Sequence, residues 1–377
     1  MVMSRNQIKW FNMKPLAFMG VAFVFLTLMV TACLDEIDLN PEEEEYKRIV
    51  VLGKLVNSAP ARVLVYVTET FDFETREIPR GIDDATVTVW DDEGHSLTLA
   101  PYIETGLYYL EIPKNHPEFK VEAGRSYHLK VVTDRGKQYE SAPEPLADVP
   151  QAGQLGVNKT TKLIVDNLGE FTPIDILEFS VSTPLTTPGN PEKARLRWEI
   201  EEAYKVTDTP QLGGTPKTCY IAVDQNATQV RLFNGAELFS EELAGQVIYD
   251  TRPDYRFSEG YYLNVIQESL SEGAFEYWRQ TKELLNRTGS MFEAPVGKIS
   301  TNFRSLDDER EDVFGYFYAT TQDTIRQYIS PEFAGSPFRL CPPRNPPPGG
   351  RPCPVFTCCD CLSEQNSTTE KPDYWVE

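Results

Sequence analysis

Seven cysteines and three histidines are the residues of this chain whose types and spacing could do chemistry. Cys33 stands alone where an apolar run meets an acidic block, Cys219 lies mid-chain, and Cys341, Cys353, Cys358, Cys359 and Cys361 crowd the C-terminal end. Thiolates can hold zinc, but structural zinc sites usually show paired C-x-x-C or C-x-x-C/H spacing, and these do not. Six cysteines beyond Cys33, an even number, make three disulfides the expectation in an oxidising compartment. Adjacent cysteines such as Cys358 and Cys359 rarely bridge each other because the geometry is strained. Cys219 falls in an expected strand far upstream, so its partner is expected in the tail; the connectivity otherwise stays open.

The histidines, His95, His116 and His128, fall in expected turns or exposed strand positions, and there is no H-E-x-x-H. No G-x-S-x-G elbow, P-loop or G-x-G-x-x-G is present. Residues Asp307 to Asp312 supply the carboxylates that Ca²⁺ favours, without the spaced D-x-D-x-D-G ligand pattern, and read as a solvated loop. Nothing singles out a carboxylate pair for glycoside chemistry. No catalytic residue, metal ligand or cofactor site is expected, and the chain reads as non-enzymatic.

Cys33 has a chemistry of its own. Arg5, Lys9 and Lys14 precede an apolar run from Pro15 to Val30, which ends in the small residues Thr31 and Ala32; this is the layout of an export signal. Such a run could instead form a spanning helix, which needs roughly 20 apolar residues. The sequence Val30-Thr31-Ala32-Cys33 resembles the bacterial lipobox, whose cysteine is acylated and becomes the first residue after cleavage. Residues 1–32 are therefore expected to be a lipoprotein signal peptide and Cys33 the tether, since two or three acyl chains at about 0.8 kcal/mol per buried CH₂ hold a protein on a membrane.

The chain carries a formal charge of −21, and the leader contains none of its acids. Such a surface repels nucleic acid, so no nucleic-acid partner is expected. Residues 33–46, rich in Asp and Glu, read as an unstructured acidic linker between lipid and protein.

The rest must be built by β-structure, because 28 prolines and 23 glycines punctuate short apolar runs. Seven strands are expected in residues 47–145, at Arg48 to Val56, Arg62 to Thr70, Ala85 to Trp90, His95 to Leu99, Leu107 to Ile112, Ser126 to Thr133 and Lys137 to Ser141. That count fits an immunoglobulin-like or fibronectin-like sandwich. In Ser126 to Val131, Tyr127, Leu129 and Val131 should face the core, and His128 and Lys130 water. Pro143 to Pro150 reads as a linker.

Residues 150–335 read as a second, less regular β-rich domain. Its expected strands are Asp175 to Thr183, Ala194 to Glu201, Thr218 to Val223, Gln229 to Phe233, Gly260 to Val265, Phe292 to Phe303 and Val313 to Thr320. One helix, Glu272 to Asn286, places Phe275, Trp278, Lys282 and Leu285 on one face, with Trp278 as a core anchor and Gly289 able to end it. Residues 336–377 form a Pro/Cys-rich tail that only cross-links could order. Tyr102, Tyr255, Tyr261 and Tyr374 read as half-buried packing residues rather than a ligand platform.

Several stretches together carry a resemblance to a known family. They are the lipobox and acidic spacer, GLYYLEI, GRSYHLKVVTDRGKQYESA, Cys219-Tyr220, MFEAPVGKISTNF, VFGYFYATT, and the ending with Cys358, Asp360-Cys361 and Lys371 to Trp375. In that order they resemble the Bacteroidetes lipoprotein family catalogued as domain of unknown function 4249, over essentially the whole mature chain. A longer proline-rich insert, Pro342 to Pro352, departs from the pattern and leaves the pairing of the tail cysteines open. Acidic residues after the lipid cysteine resemble the surface-export signal of such bacteria, although Leu34 interrupts it, and Asp323-Thr324-Ile325 resembles their O-glycosylation motif.

The resemblance implies a lipid-anchored outer-membrane protein, exposed at the cell surface, often found beside TonB-dependent transporters, and it brings no catalytic residue. The expected function is an accessory or ligand-capturing partner of such a barrel, with the ligand unknown. The alternative is a surface adhesion or structural lipoprotein that binds protein or glycan without a transporter.

Overall fold

Valine alternation writes the first strands: Val63, Val65 and Val67 are wholly buried while Arg62 and Tyr66, on the opposite face of the same strand, are exposed. Each fully buried valine or leucine is worth about 1.5–3 kcal/mol, which fixes the face and hence the register. The computed structural model describes residues 48–70, 79–102, 105–165, 169–210, 214–225, 229–286, 299–341, 353 and 355–376. The expected signal peptide, Cys33, the acidic linker and the insert Pro342 to Pro352 lie outside the described residues.

The first nine strands are β1 (Ile49–Asn57), β2 (Ala61–Glu69), β3 (Thr86–Asp91), β4 (Ser96–Thr98), β5 (Ala100–Pro101), β6 (Leu107–Ile112), β7 (Ser126–Val132), β8 (Gln138–Ser141) and β9 (Glu144–Pro145). Then come β10 (Gln154–Val165), β11 (Phe171–Pro184), β12 (Arg195–Thr207), β13 (Thr218–Asp224), β14 (Arg231–Asn234), β15 (Glu242–Thr251) and β16 (Tyr261–Leu270). The helix α1 (Glu272–Leu285), β17 (Phe303–Ser305), β18 (Phe317–Ile329) and β19 (Ser367–Thr368) complete the order.

These strands form one large sheet and two smaller ones. The large sheet has ten strands, in the order β19-β13-β12-β16-β18-β1-β2-β6-β5 with β14 beside β12. Strands β17-β8-β7-β3-β4 with β9 form a second sheet, and β10-β11-β15 a third. Against β1 and β2, the second sheet encloses a core of Val51, Leu55, Val65, Val89, Leu129 and Val131, the expected sandwich. Against β12 and β16, the third sheet encloses Phe179, Val181, Trp198, Ile200, Leu263 and Val265. The two smaller sheets cover one face of the large sheet in turn, and α1 lies on the other.

Strand β18 splices the two sandwiches. Its first half pairs parallel with β1, from Gly53↔Phe317 to Asn57↔Thr321, and its second half pairs antiparallel with β16, from Glu268↔Gln322 to Tyr261↔Ile329. Residues 47–145 and 150–335 therefore share a sheet. At the crossing, β1 comes so close to its neighbours that a Cβ on Gly53 would sit 2.6 Å from Leu129 Cδ1 and 2.8 Å from Phe317 Cδ2.

Several expectations shift. Within Pro143 to Pro150, read as a linker, Glu144 and Pro145 pair with β7, because the buried Glu144 carboxylate accepts hydrogen bonds from Ser271 and Tyr316. The strand expected from Val313 starts at Phe317, because Gly315 is left-handed (φ 94°) and packs against the Val51 backbone. Of the strand expected over Phe292 to Phe303, Phe303 alone is in a described strand, and 292–298 lie outside the described residues. Strands β10 and β15 were not expected, since neither alternates cleanly.

Helix α1 begins where the Ser271 hydroxyl accepts from the Ala274 amide, as an N-cap should, and ends at Asn286; Gly289 lies outside the described residues. Its buried residues are Ala274 and Tyr277, one position round from the expected stripe, and Leu285 is 48% exposed. Among the described residues no helix is long and apolar enough to cross a membrane, a statement that leaves β-barrels untouched.

Candidate functional site: a charged, aromatic groove on the open sheet face

Alternation that sends Val51 and Leu55 into the sandwich sends Leu52, Lys54 and Val56 to the opposite face of β1. Leu64 and Tyr66 of β2, Arg197 and Glu199 of β12, Ile266 of β16, and Tyr318 and Gln322 of β18 point the same way. Beside them α1 supplies Tyr277 and Trp278. The result is a groove of about 410 Å³, within the range of small-molecule sites.

Four interlocked charges make its floor. Glu268 is wholly buried and accepts from Lys54, from Arg197 Nη1 at 2.7 Å and from the Gln322 amide at 2.6 Å. Glu199 accepts from Lys54 at 3.1 and 3.2 Å and from Arg197 Nη1 at 2.7 Å. Arg197 Nη1 also donates to the Tyr318 hydroxyl at 3.2 Å, and its guanidinium lies 3.9 Å over the Trp278 ring. Burial opposes ionisation of Glu268, but Lys54 and Arg197 outweigh it and hold its carboxyl well below the usual carboxylate range. Burial likewise opposes charge on Lys54, and the carboxylates of Glu268 and Glu199 work against it, so the ammonium is held. Burial and the nearby Glu268 raise the pKa of Tyr318, which keeps its phenol protonated.

Such a quartet is costly to bury, and each of its charges is set against opposite ones. Its side effect is a rigid polar floor under aromatic walls. Tyr66 and Leu52 remain 45% and 41% exposed at the mouth. Trp278, expected as a core anchor, is half-buried: it packs beside Tyr277 and Tyr318 and also walls the groove.

The tail is braced as the cysteine count suggests, by Cys219–Cys361, Cys341–Cys358 and Cys353–Cys359. The first spans 142 residues and ties the C-terminal segment to β13; β19 then pairs with β13. Tyr374 and Trp375 pack on the same open face of the large sheet, around Tyr262 and Ala203. Of the other tyrosines, Tyr261 is fully buried, with its hydroxyl bonded to the buried Glu202, and Tyr102 is 54% exposed.

The histidines sit at structural posts. His116 Nδ1 accepts from the Phe119 amide, and His128 stacks on Trp90, its pKa lowered chiefly by burial. The hairpin brings Asp91, Glu93 and His95 within metal-ligand reach of one another, which the linear spacing did not suggest. Arg125 already occupies that cluster, reaching Asp91 at 3.2 Å, Asp92 at 2.6 Å and Glu93 at 3.3 Å. Three carboxylates of the Asp307 to Asp312 stretch are engaged outside it: Asp307 accepts from the Gln138 amide, Glu311 from Lys137, Tyr139 and Ser305, and Asp312 from Arg48. Asp323 of the Asp-Thr-Ile triplet accepts from the Ala152 amide inside the sheet region.

Two other surfaces stand out. A hollow of about 500 Å³ beside His128 and Asn302 is lined by groups that pair with each other, Arg304 with Glu140 at 2.9 Å. The far end of the β10–β11 hairpin exposes Leu163, Val165 and Phe171 by 68%, 60% and 73%.

Fold and groove together define a mainly β, disulfide-braced double sandwich with one open, partly helix-covered sheet face. The chain belongs to the family described as domain of unknown function (DUF4249), whose model matches residues 35–326. It is similar to a two fibronectin type-III domain segment from chicken tenascin at 15% identity, over 58% of this chain and 89% of that one, with a TM-score of 0.14. No curated protein matches it.

Proposed function

We propose that the protein is a non-enzymatic outer-membrane lipoprotein, tethered through Cys33 and facing the cell surface, which captures a small ligand and accompanies a TonB-dependent transporter. The observation that carries this reading is the groove: preformed, aromatic-walled, and floored by charges that pair with one another. Its carboxylates suit recognition rather than acid–base chemistry, since Glu268 is held ionised between two cations. The expected leader before Cys33, the acidic spacer and the family membership support the envelope setting of this reading.

The apolar end of the β10–β11 hairpin favours a second reading, a surface adhesion protein without a transporter. A native pull-down of the lipidated protein from detergent-solubilised outer membrane, with Cys33→Ser as control, separates the two. Near-stoichiometric recovery of a TonB-dependent barrel is expected. A membrane-bound, surface-exposed protein that comes out alone would sink the companion role.

A further inference from the structure

The groove holds more hydrogen-bond donors than acceptors. Every carboxylate oxygen of its floor is already engaged: both Glu199 oxygens by Lys54, one of them also by Arg197, and the Glu268 oxygens by Lys54, Gln322 and Arg197. The donors are not used up. All three hydrogen bonds of Arg197 leave from Nη1, so Nε and Nη2 have no partner among the described residues, although the side chain is only 8% exposed. The Tyr318 hydroxyl accepts from Arg197, and its own proton finds no acceptor among the described residues. The Trp278 indole N–H is buried without a partner, and Arg62 at the groove edge forms no ion pair among the described residues. Leaving donors unmatched in a half-buried site carries a cost that a bound acceptor would remove.

The walls set the rest of the ligand. The Trp278 ring lies 3.9 Å from the guanidinium carbon, with Tyr277, Tyr318, Tyr66, Leu52 and Leu64 around the space. Flat aromatic and branched apolar surfaces favour a planar, apolar body. A guanidinium edge offering adjacent Nε and Nη2 donors matches a carboxylate in bidentate geometry, and repels an ammonium.

We infer that the groove binds a small planar carboxylate, its apolar body between Trp278 and Tyr66 and its oxygens on the unused edge of Arg197. This rests on the groove being a ligand site, as proposed above, and not on the transporter partner. An amine or a neutral alcohol on the same body would be taken poorly.

The test is isothermal titration calorimetry on the full chain with three probes of one shape: 2-naphthoate, 2-naphthylmethanol and 2-naphthylmethylamine. Naphthoate is expected to bind at least about 10-fold more tightly than either of the others, as expected for a charge-assisted bidentate contact. Arg197→Lys keeps a cation beside Glu268 but loses the fork, and is expected to weaken naphthoate at least about 10-fold. Should that variant unfold, the exposed Arg62→Gln and the wall variant Trp278→Leu take its place, each expected to weaken naphthoate several-fold. Equal or tighter binding of the amine, unchanged affinity in a folded Arg197→Lys, or no heat from any probe would overturn the inference. None of these outcomes bears on the pull-down, so a wrong ligand class and a wrong partner are told apart.

Discussion

Strands β2 and β16 are both interior strands of the same ten-stranded sheet, and they are built on opposite rules. Along β2, buried valines alternate with exposed or half-buried residues. Along β16, nine of ten residues are buried, including Asn264, Gln267, Glu268 and Ser269. One strand needs only apolar mass on one face. The other must pair the polar groups it buries: Gln267 bonds Trp198, Thr183 and the Pro150 carbonyl, Asn264 Nδ2 donates to Glu201 and Tyr374 while its Oδ1 is left without a partner among the described residues, and Glu268 holds Lys54 and Arg197. Scaffold comes from the first rule. The groove, with its fixed charges, comes from the second.

The sharpest way to break this contrast is to remove one member of the quartet. Glu268→Ala leaves Lys54 and Arg197 without their buried counter-charge and is expected to cost about 3–5 kcal/mol in urea unfolding. On β2, Val65→Ala removes two buried methyl groups and is expected to cost less, about 1–3 kcal/mol. A larger loss at Val65 than at Glu268 would show that the charges are not structurally pinned.

A smaller effect separates two buried carboxylates by pH. Burial raises the pKa of Glu144 despite the hydrogen bonds from Ser271 and Tyr316, so its folded form holds the proton longer than the unfolded chain does. Its contribution is therefore present at low pH and lost as pH rises through the raised folded value. Glu268 has the opposite sign: its contribution is present above the unfolded carboxylate pKa, about 4.3, and is lost only as pH falls through a much lower folded value. Glu144→Gln should flatten the decline of thermal stability from about pH 4.5 toward neutrality and leave the acid limb, set in part by Glu268, in place. An unchanged profile would mean that Glu144 is not the titrating group.

This contrast also marks what could be read from the sequence. Leu107 to Ile112 is a strand with the expected bounds, and Tyr127, Leu129 and Val131 face the core, because each sandwich strand buries one face and states it by alternation. Strand β10 was missed because its outer half is exposed on both faces, which leaves no period to detect. Cys219 reaches the tail as its isolation suggested, while the pairs Cys341–Cys358 and Cys353–Cys359 depend on folds of the tail that proline and glycine composition does not encode. The groove was illegible. Lys54, Arg197, Glu268 and Tyr318 are far apart in the chain and each looks like an ordinary surface or packing residue; only the splice at β18 brings them to one face. Trp278 showed the right periodicity for a core position and nothing that distinguished a wall from a core.

That the open sheet face, and not either sandwich core, is where ligand is met can be tested on the indole N–H signals of the protein. Its five tryptophans include Trp90 beside the sandwich, Trp198 in the second core and Trp278 in the groove. In ¹⁵N-labelled protein titrated with 2-naphthoate, with Trp278→Phe identifying the resonance, the Trp278 signal should move while those of Trp90 and Trp198 stay in place. Movement of Trp90 or Trp198 with Trp278 unmoved would contradict the account.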